Sequence, residues 1–208
     1  MSRYAHVAFT ENVRRVQEER GSAPAMERLL ASNPERADRL GAREAEFIAA
    51  RDGFHLGTVS ETGWPYIQFR GGPPGFVHVL DEGTLAFLDV RGNRQYITAG
   101  NIRGNDRVSL FFMDYAHRAR LKVFGRAEIR DATAFQDLPG RAGDTRTDGQ
   151  AESLMVVRVE GLAWNCAQHI TPRFSEAELA DALEHVLERI VRLEEENREL
   201  RERLGART

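Results

Sequence analysis

The chain has 208 residues, 41% of them hydrophobic and 29% charged, which is enough for one sizeable core with an appendage. Its formal net charge of -3 gives no overall basic field, so nucleic acid is not an expected partner. With one cysteine, no secretory-signal core and no apolar run of about 18 residues, the chain is expected to be cytoplasmic and to span no membrane.

The first segment, residues 1–52, is predicted to be helical and polar and to pack on the segment that follows. Thr10 is a candidate N-cap for its first helix, and Gly21 is a candidate stop. Phe47 and Ile48 give the last of these helices an apolar side that can face a core. Helices are predicted over residues 10–19, 23–30 and 42–50.

The second segment, residues 53–174, consists of short apolar runs separated by turn residues. Strands are predicted over residues 54–60, 65–70, 76–80, 84–89, 107–114, 120–130 and 154–159. The hydrophobic period changes over residues 93–102, which predicts a helix, and residues 131–150 are rich in Gly and Asp, which predicts a loop. Many short strands favour a mainly β (α+β) fold, an antiparallel barrel rather than a βαβ sheet.

The third segment, residues 175–208, has the clearest periodicity in the chain. Ser175 and Glu178 form a capping box for a helix that reaches Leu204. An apolar seam at heptad spacing, with Asn197 at an a position, predicts a parallel two-stranded coiled coil. The seam and its facing charges are Leu183, Val186, Ile190, Leu193, Leu200 and Leu204, with Arg189 opposite Glu194 and Glu196 opposite Arg201 of a second copy. The alternative is one amphipathic helix on its own domain.

Three groups of polar residues in the second segment are candidates for binding an anion. Arg70 ends a strand beside two glycines, where the backbone can approach a phosphate closely. Asn93, Arg94 and Gln95 are predicted to begin a helix, and helix N-termini favour anions. Arg118, Arg120 and Lys122 are predicted to share one side of a strand, and the alternative is that this side is solvated.

Residues 164–173 gather Trp, Asn, Cys, Gln, His and Arg, which can stack on an aromatic ring and hydrogen-bond its edge. No second pair of ligands stands at zinc spacing beside Cys166 and His169, so no metal site is expected. Both residues also fit structural roles, as a small buried side chain and a hydrogen-bonded one. The sequence has neither a phosphate-loop motif nor a dinucleotide-binding GxGxxG motif.

Four stretches together resemble the pyridoxamine 5'-phosphate oxidase-related family of FMN-binding split barrels. They are RDGFHLGTVSETGWPYIQFRGGPPGFV, RGNRQYITAGNI, FFMDYAHRARLKVFGRAE and WNCAQHITPR. The resemblance covers about residues 10–174 and leaves out the third segment. It implies an antiparallel FMN-binding split β-barrel with N-terminal helices, and a homodimer with FMN sites at the subunit interface.

The resemblance also implies roles for individual residues. The strand before Arg70 is expected to follow the flavin, mainly through its backbone, and Arg70 to meet the phosphate. Arg120 stands where the oxidase proper has a glutamine that contacts the flavin. Trp164 and Arg173 match residues that reach the flavin across the dimer interface. The FMN-binding residues so implied are Tyr66, Ile67, Gln68, Arg70, Leu88, Asp89, Asn93, Arg94, Gln95, Arg120, Trp164 and Arg173.

The function implied by the resemblance is an FMN-dependent oxidoreductase acting on an unidentified small molecule, with His169 as the candidate acid or base. Residues 131–150 and the HITPR segment depart from the family pattern where the oxidase binds its substrate, so pyridoxamine 5'-phosphate is not the expected substrate. The alternatives are a non-catalytic flavin-binding dimeric module, such as a sensor or store, and a relative that binds a deazaflavin or haem. For haem, six histidines are available and none has a distinguishing context.

Overall fold

The computed structural model describes residues 3–30, 36–136, 149–165 and 167–205, without the side chains of residues 181, 182, 204 and 205. The chain divides into two compact units, one of Met1–Asp114 with Ala119–Gln168 and the other of Tyr115–Arg118 with His169–Thr208. The division into segments 1–52, 53–174 and 175–208 stays a prediction.

Seven strands of the first unit form one antiparallel sheet in the order β2-β1-β5-β6-β7-β4-β3. Successive side chains of a strand point to opposite faces, and one face, here called the inner face, is covered by buried apolar residues. The prediction of a mainly β, antiparallel fold is confirmed. The strands are β1 (Gly53–Val59), β2 (Pro65–Gly71), β3 (His78–Asp81), β4 (Thr84–Val90), β5 (Arg107–Asp114), β6 (Ala119–Asp131) and β7 (Ala151–Asn165).

The sheet is curled into a barrel around its inner face. The rings of Phe54 on β1 and Phe87 on β4 lie 5.2 Å apart, although β5, β6 and β7 stand between these strands in the sheet. In a flat sheet, four inter-strand spacings of about 4.8 Å would separate β1 from β4 by about 19 Å. Among the described residues, the edge strands β2 and β3 each have a single hydrogen-bonded neighbour, so the barrel is open between its two edges and is a split barrel.

Short helices cover the first unit. The predicted stop of α2 is confirmed at Gly21, whose φ of 71° suits glycine, whereas Thr10 is the N-cap but makes no side-chain cap hydrogen bond. Ile48 of α4 is fully buried in the barrel core. The bounds are α1 (Arg3–Ala8), α2 (Glu11–Glu19), α3 (Ala23–Leu30), α4 (Ala42–Ala49), α5 (Ile97–Gly104) and a 3-10 helix (Ala132–Phe135).

Two local predictions are wrong in their placement. Helix α5 begins at Ile97, so Asn93, Arg94 and Gln95 lie in the loop before it. The positive φ values of Arg94 (63°) and Tyr96 (53°) are left-handed, and an α-helix cannot include them. Arg118 precedes β6 and also has a positive φ, 52°, so it does not alternate with Arg120 and Lys122 along the strand. Most of the predicted loop, residues 137–148, lies outside the described residues.

The second unit contains a four-residue turn, the segment that starts at His169, and a long helix, α6 (Glu176–Gly205). Its capping box is confirmed: the Glu178 amide donates to Ser175 Oγ at 3.2 Å, and the Ser175 amide donates to Glu178 Oε2 at 2.7 Å. The described apolar side chains of the seam are exposed in the single chain, among them Leu183 (56%) and Leu193 (51%). The coiled-coil pairing itself stays a prediction.

Candidate functional site

A polar cleft occupies the split of the barrel. Its first side is the inner face of β2, where Tyr66, Gln68 and Arg70 alternate with outward-facing residues. Its other sides are the end of β4 at Asp89, the start of β7 at Glu152, and the segment that leads into α5. The lining residues are Tyr66, Gln68, Arg70, Asp89, Val90, Gly92, Asn93, Arg94, Gln95, Tyr96, Ile97, Thr98, Ala99 and Glu152.

An ion pair spans the split. Arg70 Nη1 on β2 lies 2.6 Å from Asp89 Oδ1 on β4, and the two side chains are only 14% and 18% exposed. The Nε atom of Arg70 is buried and has no hydrogen-bond partner among the described residues. Burial raises the pKa of Asp89, the positive charge of Arg70 opposes that rise, and the nearby Glu152 adds to it. Arg70 Nε is therefore a buried donor that no described residue uses.

The loop from Asn93 to Tyr96 is shaped by its own side chains. Asn93 Oδ1 accepts a hydrogen bond from the Gln95 amide at 3.1 Å, which is an Asx turn. Tyr96 then takes a left-handed conformation at the N-cap of α5, and no described side chain makes a cap hydrogen bond there. The first residues of α5, Ile97 to Ala99, line the cleft, so an uncapped helix N-terminus with its partial positive charge faces it.

Glu152 connects the β7 side of the cleft to this loop. The Tyr96 hydroxyl donates to Glu152 Oε1 at 3.4 Å, and Arg91 Nε lies 3.7 Å from the same oxygen. Arg94 Nε in turn donates to the Tyr96 hydroxyl at 3.4 Å. Arg94 is fully exposed, so its side chain can turn toward a ligand at the mouth of the cleft.

Helix α5 is held against the barrel by two polar contacts. The Thr98 hydroxyl donates to Gln68 Oε1 on β2 at 3.0 Å. Asn101 Nδ2 donates to Thr58 Oγ1 on β1 at 2.9 Å, and both residues are buried, at 8% and 3% exposure. These bonds fix the start of the helix beside the inner face of β2. The cleft therefore brings together two arginines, two carboxylates and a helix N-terminus.

Comparison with known proteins identifies the family. The sequence profile of the pyridoxamine 5'-phosphate oxidase family matches residues 40–164, which is more than half of the chain and includes the whole sheet except the end of β7. The chain belongs to the pyridoxamine 5'-phosphate oxidase family. Among curated proteins none matches the chain.

The solved structures that are similar to this family member are only distantly so. HupZ of Group A Streptococcus is 18% identical over 65% of this chain and 100% of its own, with a TM-score of 0.49. A pyridoxamine 5'-phosphate oxidase-related, FMN binding protein of Nostoc punctiforme is 12% identical over 54% and 74%, with a TM-score of 0.40. An F420 reductase is 21% identical over 57% and 94%, with a TM-score of 0.39.

The structure brings together seven of the residues expected from the family resemblance. Three are on β2, one is at the end of β4, and three are in the loop before α5. The seven are Tyr66, Gln68, Arg70, Asp89, Asn93, Arg94 and Gln95. Whether they bind FMN stays a prediction.

The side chains of Ile67, Leu88 and Arg120 were expected near the flavin, but they do not line the cleft of this family member. Ile67 points to the opposite, outer face of β2 and is 68% exposed, because strand residues alternate. Leu88 is 8% exposed and packs in a second apolar cluster with Phe135 and Leu154, on the other side of β4. Arg120 also points away from the core, since its neighbour Leu121 is fully buried, and its Nε is buried without a described hydrogen-bond partner.

Trp164 has partners within the first unit. Its indole Nε1 donates to Glu44 Oε1 at 2.7 Å, Arg43 lies over its ring at 4.1 Å, and Phe47 packs edge-on at 4.7 Å. These contacts hold Trp164 against α4, and it does not line the cleft.

His169 and Arg173 belong to the second unit. His169 has a positive φ of 62°, and the Arg173 guanidinium lies 5.0 Å from the ring of Tyr115, which belongs to the same unit. Cys166 lies outside the described residues. The roles expected for His169 and Arg173 stay predictions.

Sequence reasoning missed Tyr96, Thr98 and Glu152, which line the cleft. Tyr96 directly follows the polar triplet and Thr98 lies in the first turn of α5, so both are close in sequence to residues that were identified. The sequence around Glu152 does not mark it as a site residue, because Glu152 reaches the cleft through the pairing of β7 with β4. Within the described residues no group of three potential metal ligands occurs, and no described helix has the length and hydropathy needed to cross a bilayer.

Proposed function

We propose that the chain is a cytoplasmic, homodimeric flavoprotein that binds FMN in the cleft and acts as an oxidoreductase on a small molecule other than pyridoxamine 5'-phosphate. The observation on which the proposal rests is the convergence of Arg70, Arg94 and the uncapped start of α5. Membership in the pyridoxamine 5'-phosphate oxidase family supports the choice of a flavin.

The phosphate of FMN fits the chemistry of this end of the cleft. The buried guanidinium of Arg70 can donate from Nε, a direction that no described protein group uses. The amides of the first turn of α5 favour an anion at the same point. Arg94 is exposed beside them and can close over the phosphate from outside.

The remaining cleft residues are suited to hold the rest of the cofactor. Gln68 and Tyr66 continue along β2 from Arg70 and present an amide and a phenol to a ligand extended along the strand. Bound FMN supplies hydride or electron transfer, and this chain supplies orientation, local charge and exclusion of water. No described residue of the cleft is required to act as an acid or base.

The outer face of the sheet supports a homodimer. On this face of β2, Ile67 and Phe69 are 68% and 59% exposed, although large apolar side chains are usually covered. A groove on the same face is lined by His55, Phe111 and Phe124 among others. A second copy of the chain would cover these residues, and the predicted zipper of α6 would extend the dimer.

The first test is the binding of FMN itself. The absorption spectrum of freshly purified protein, with mass analysis of the compound released on denaturation, distinguishes a flavin from a deazaflavin or haem. The double substitution of Arg70 and Arg94 by Ala is expected to weaken FMN binding about 100-fold or more, because two charge-assisted interactions are lost. The binding of riboflavin, which has no phosphate, should be weakened much less by the same substitutions.

Arg130→Ala is a matched control, because Arg130 is an exposed arginine that pairs with Glu128 outside the cleft. Unchanged FMN content in the double variant would remove the phosphate assignment. A colourless protein that also fails to bind added FMN would overturn the proposed cofactor.

Turnover separates the enzyme from a flavin-binding module. Anaerobic addition of NADH or NADPH to the FMN-loaded protein, followed by readmission of an electron acceptor, is expected to bleach and then restore the flavin spectrum over many cycles. A protein that holds FMN tightly but is reduced by neither nicotinamide would favour the module.

A further inference from the structure

The carboxylate of Asp89 is already paired with Arg70, the arginine that the phosphate would need. Its carboxylate lies 2.6 Å from Arg70 Nη1, and both side chains line the cleft. The pair is less than one-fifth exposed, so water screens its charges poorly. An arriving phosphate would meet a guanidinium that is already neutralised and a carboxylate of its own sign.

The other charged groups around Asp89 do not remove this conflict. From β7, Glu152 adds a second negative charge to the cleft. From the segment before α5, Arg94 is exposed, and Arg91 lies beside Glu152 rather than Asp89. The cleft thus holds as many carboxylates as arginines, and a phosphate dianion would leave it with an excess of negative charge.

We propose that Asp89 couples the binding of a phosphate ester to the uptake of a proton. A phosphate bound at Arg70 Nε shares the guanidinium with Asp89 and places a dianion beside the carboxylate, so Asp89 accepts a proton from solvent. The neutral carboxyl group can then donate a hydrogen bond to the ligand. This inference rests on the proposed FMN site and specifies how that site is regulated.

The burial of Asp89 supports the coupling. Burial already raises the pKa of Asp89 in the structure, and a phosphate raises it further because it repels the charged form. Between the pKa values of the ligand-free and ligand-bound protein, each added pH unit weakens binding by up to tenfold, since one proton is linked to one ligand. At pH values above or below this range, the effect of Asp89 on the binding free energy no longer changes with pH.

The test is isothermal titration of FMN into the full chain in two buffers of different ionisation enthalpy, from pH 5.5 to pH 8. Wild type is expected to take up as much as one proton more per FMN than Asp89→Asn does, and the dissociation constant of wild type should rise more steeply with pH. The phosphate of FMN titrates near pH 6 in both proteins, so the difference between them removes its contribution. Riboflavin should show no such difference.

Asp106→Asn is the matched control, because Asp106 also pairs with an arginine, Arg126, but outside the cleft. It should take up as many protons as wild type. If Asp89→Asn does not fold, carboxyl carbon resonances of the unsubstituted protein report the pKa of Asp89 with and without FMN, and that pKa should rise on binding.

FMN binding with equal proton uptake in wild type and Asp89→Asn, or an Asp89 pKa that does not rise, would overturn this inference and leave the proposed function intact. A protein that binds no FMN would overturn both.

Discussion

Asn101 shows how one residue can hold the site together. Its amide is buried between α5 and β1 and donates to the Thr58 hydroxyl, so the helix that faces the cleft is tied to the barrel by a polar bond. A buried polar group that loses its partner costs more than the bond itself contributes.

Asn101→Leu is therefore expected to lower the free energy of unfolding by about 1–3 kcal/mol, because the Thr58 hydroxyl stays buried without its donor. Thr58→Val alone should also be destabilising, because the Asn101 amide then stays buried without its acceptor. In the double variant the two losses should not add, since neither group is left unpaired. Urea denaturation of the four proteins measures this, and strictly additive losses would contradict the pairing.

The residue scale also shows what the sequence could reveal of the site. Arg70 and the Asn93–Gln95 triplet were identifiable because arginines and amides beside glycines are unusual in core strands. The pairing of Arg70 with Asp89 could not be identified from the sequence, because β2 and β4 meet only when the four strands between them curl round the core. Leu88 was expected near the flavin beside Asp89, but neighbouring residues of a strand point to opposite faces, and Leu88 packs in the second apolar cluster.

At the scale of elements, the packing of α1 on β7 depends on a glycine. A Cβ atom added at Gly161 would lie 2.7 Å from both the backbone N and the Cα of Tyr4, so the helix could not keep its place. Gly100, inside α5, has no neighbouring atom within 4 Å of the corresponding position.

Gly161→Ala is thus expected to destabilise the protein by about 1–3 kcal/mol, because α1 must move away from the strand. Gly100→Ala should be neutral or stabilising by up to about 1 kcal/mol, since alanine favours a helix and meets nothing there. Thermal unfolding of the two variants checks the opposite signs. Equal effects would mean that α1 does not pack on β7 as described.

Element types were easier to predict than element ends. The strands were found because β-branched and aromatic residues alternate between turn residues. The start of α5 was placed four residues too early because polar residues before a helix resemble its first turn, while the left-handed Arg94 and Tyr96 leave no mark in composition. β7 runs from Ala151 to Asn165, well beyond the predicted six residues. The prediction was too short because Gly161 interrupts the alternating pattern that continues after it.

For the whole molecule, the proposed dimer makes the outer face the decisive surface. Ile67→Asp should convert the dimer to a monomer without unfolding it, because the charge would be buried at the interface and is exposed in the monomer. Sedimentation velocity over a range of concentrations measures this. Val16→Asp, at another exposed apolar position on α2, is the control and should remain dimeric.

The zipper of α6 is expected to extend this dimer rather than create it. A chain that ends after Phe174 should still sediment as a dimer, because the seam covers only about three heptads. In the full chain, Asn197→Leu should stabilise α6 pairing while allowing other oligomers, since a lone Asn at an a position specifies two strands in register. A monomeric truncated chain would make α6 the main dimerisation element.

The split of the barrel also sets where the protein opens. Among the described residues, β2 is hydrogen-bonded to one strand, while its Arg70 pairs with β4 across the split and its Gln68 bonds α5; β6, in contrast, lies between two long strands. In native-state amide hydrogen exchange, β2 and the first turn of α5 should therefore exchange by local opening at a lower free energy than β6. A ligand that bridges the split would slow exchange there first, so protection of β2 would report occupancy of the cleft even for a colourless ligand.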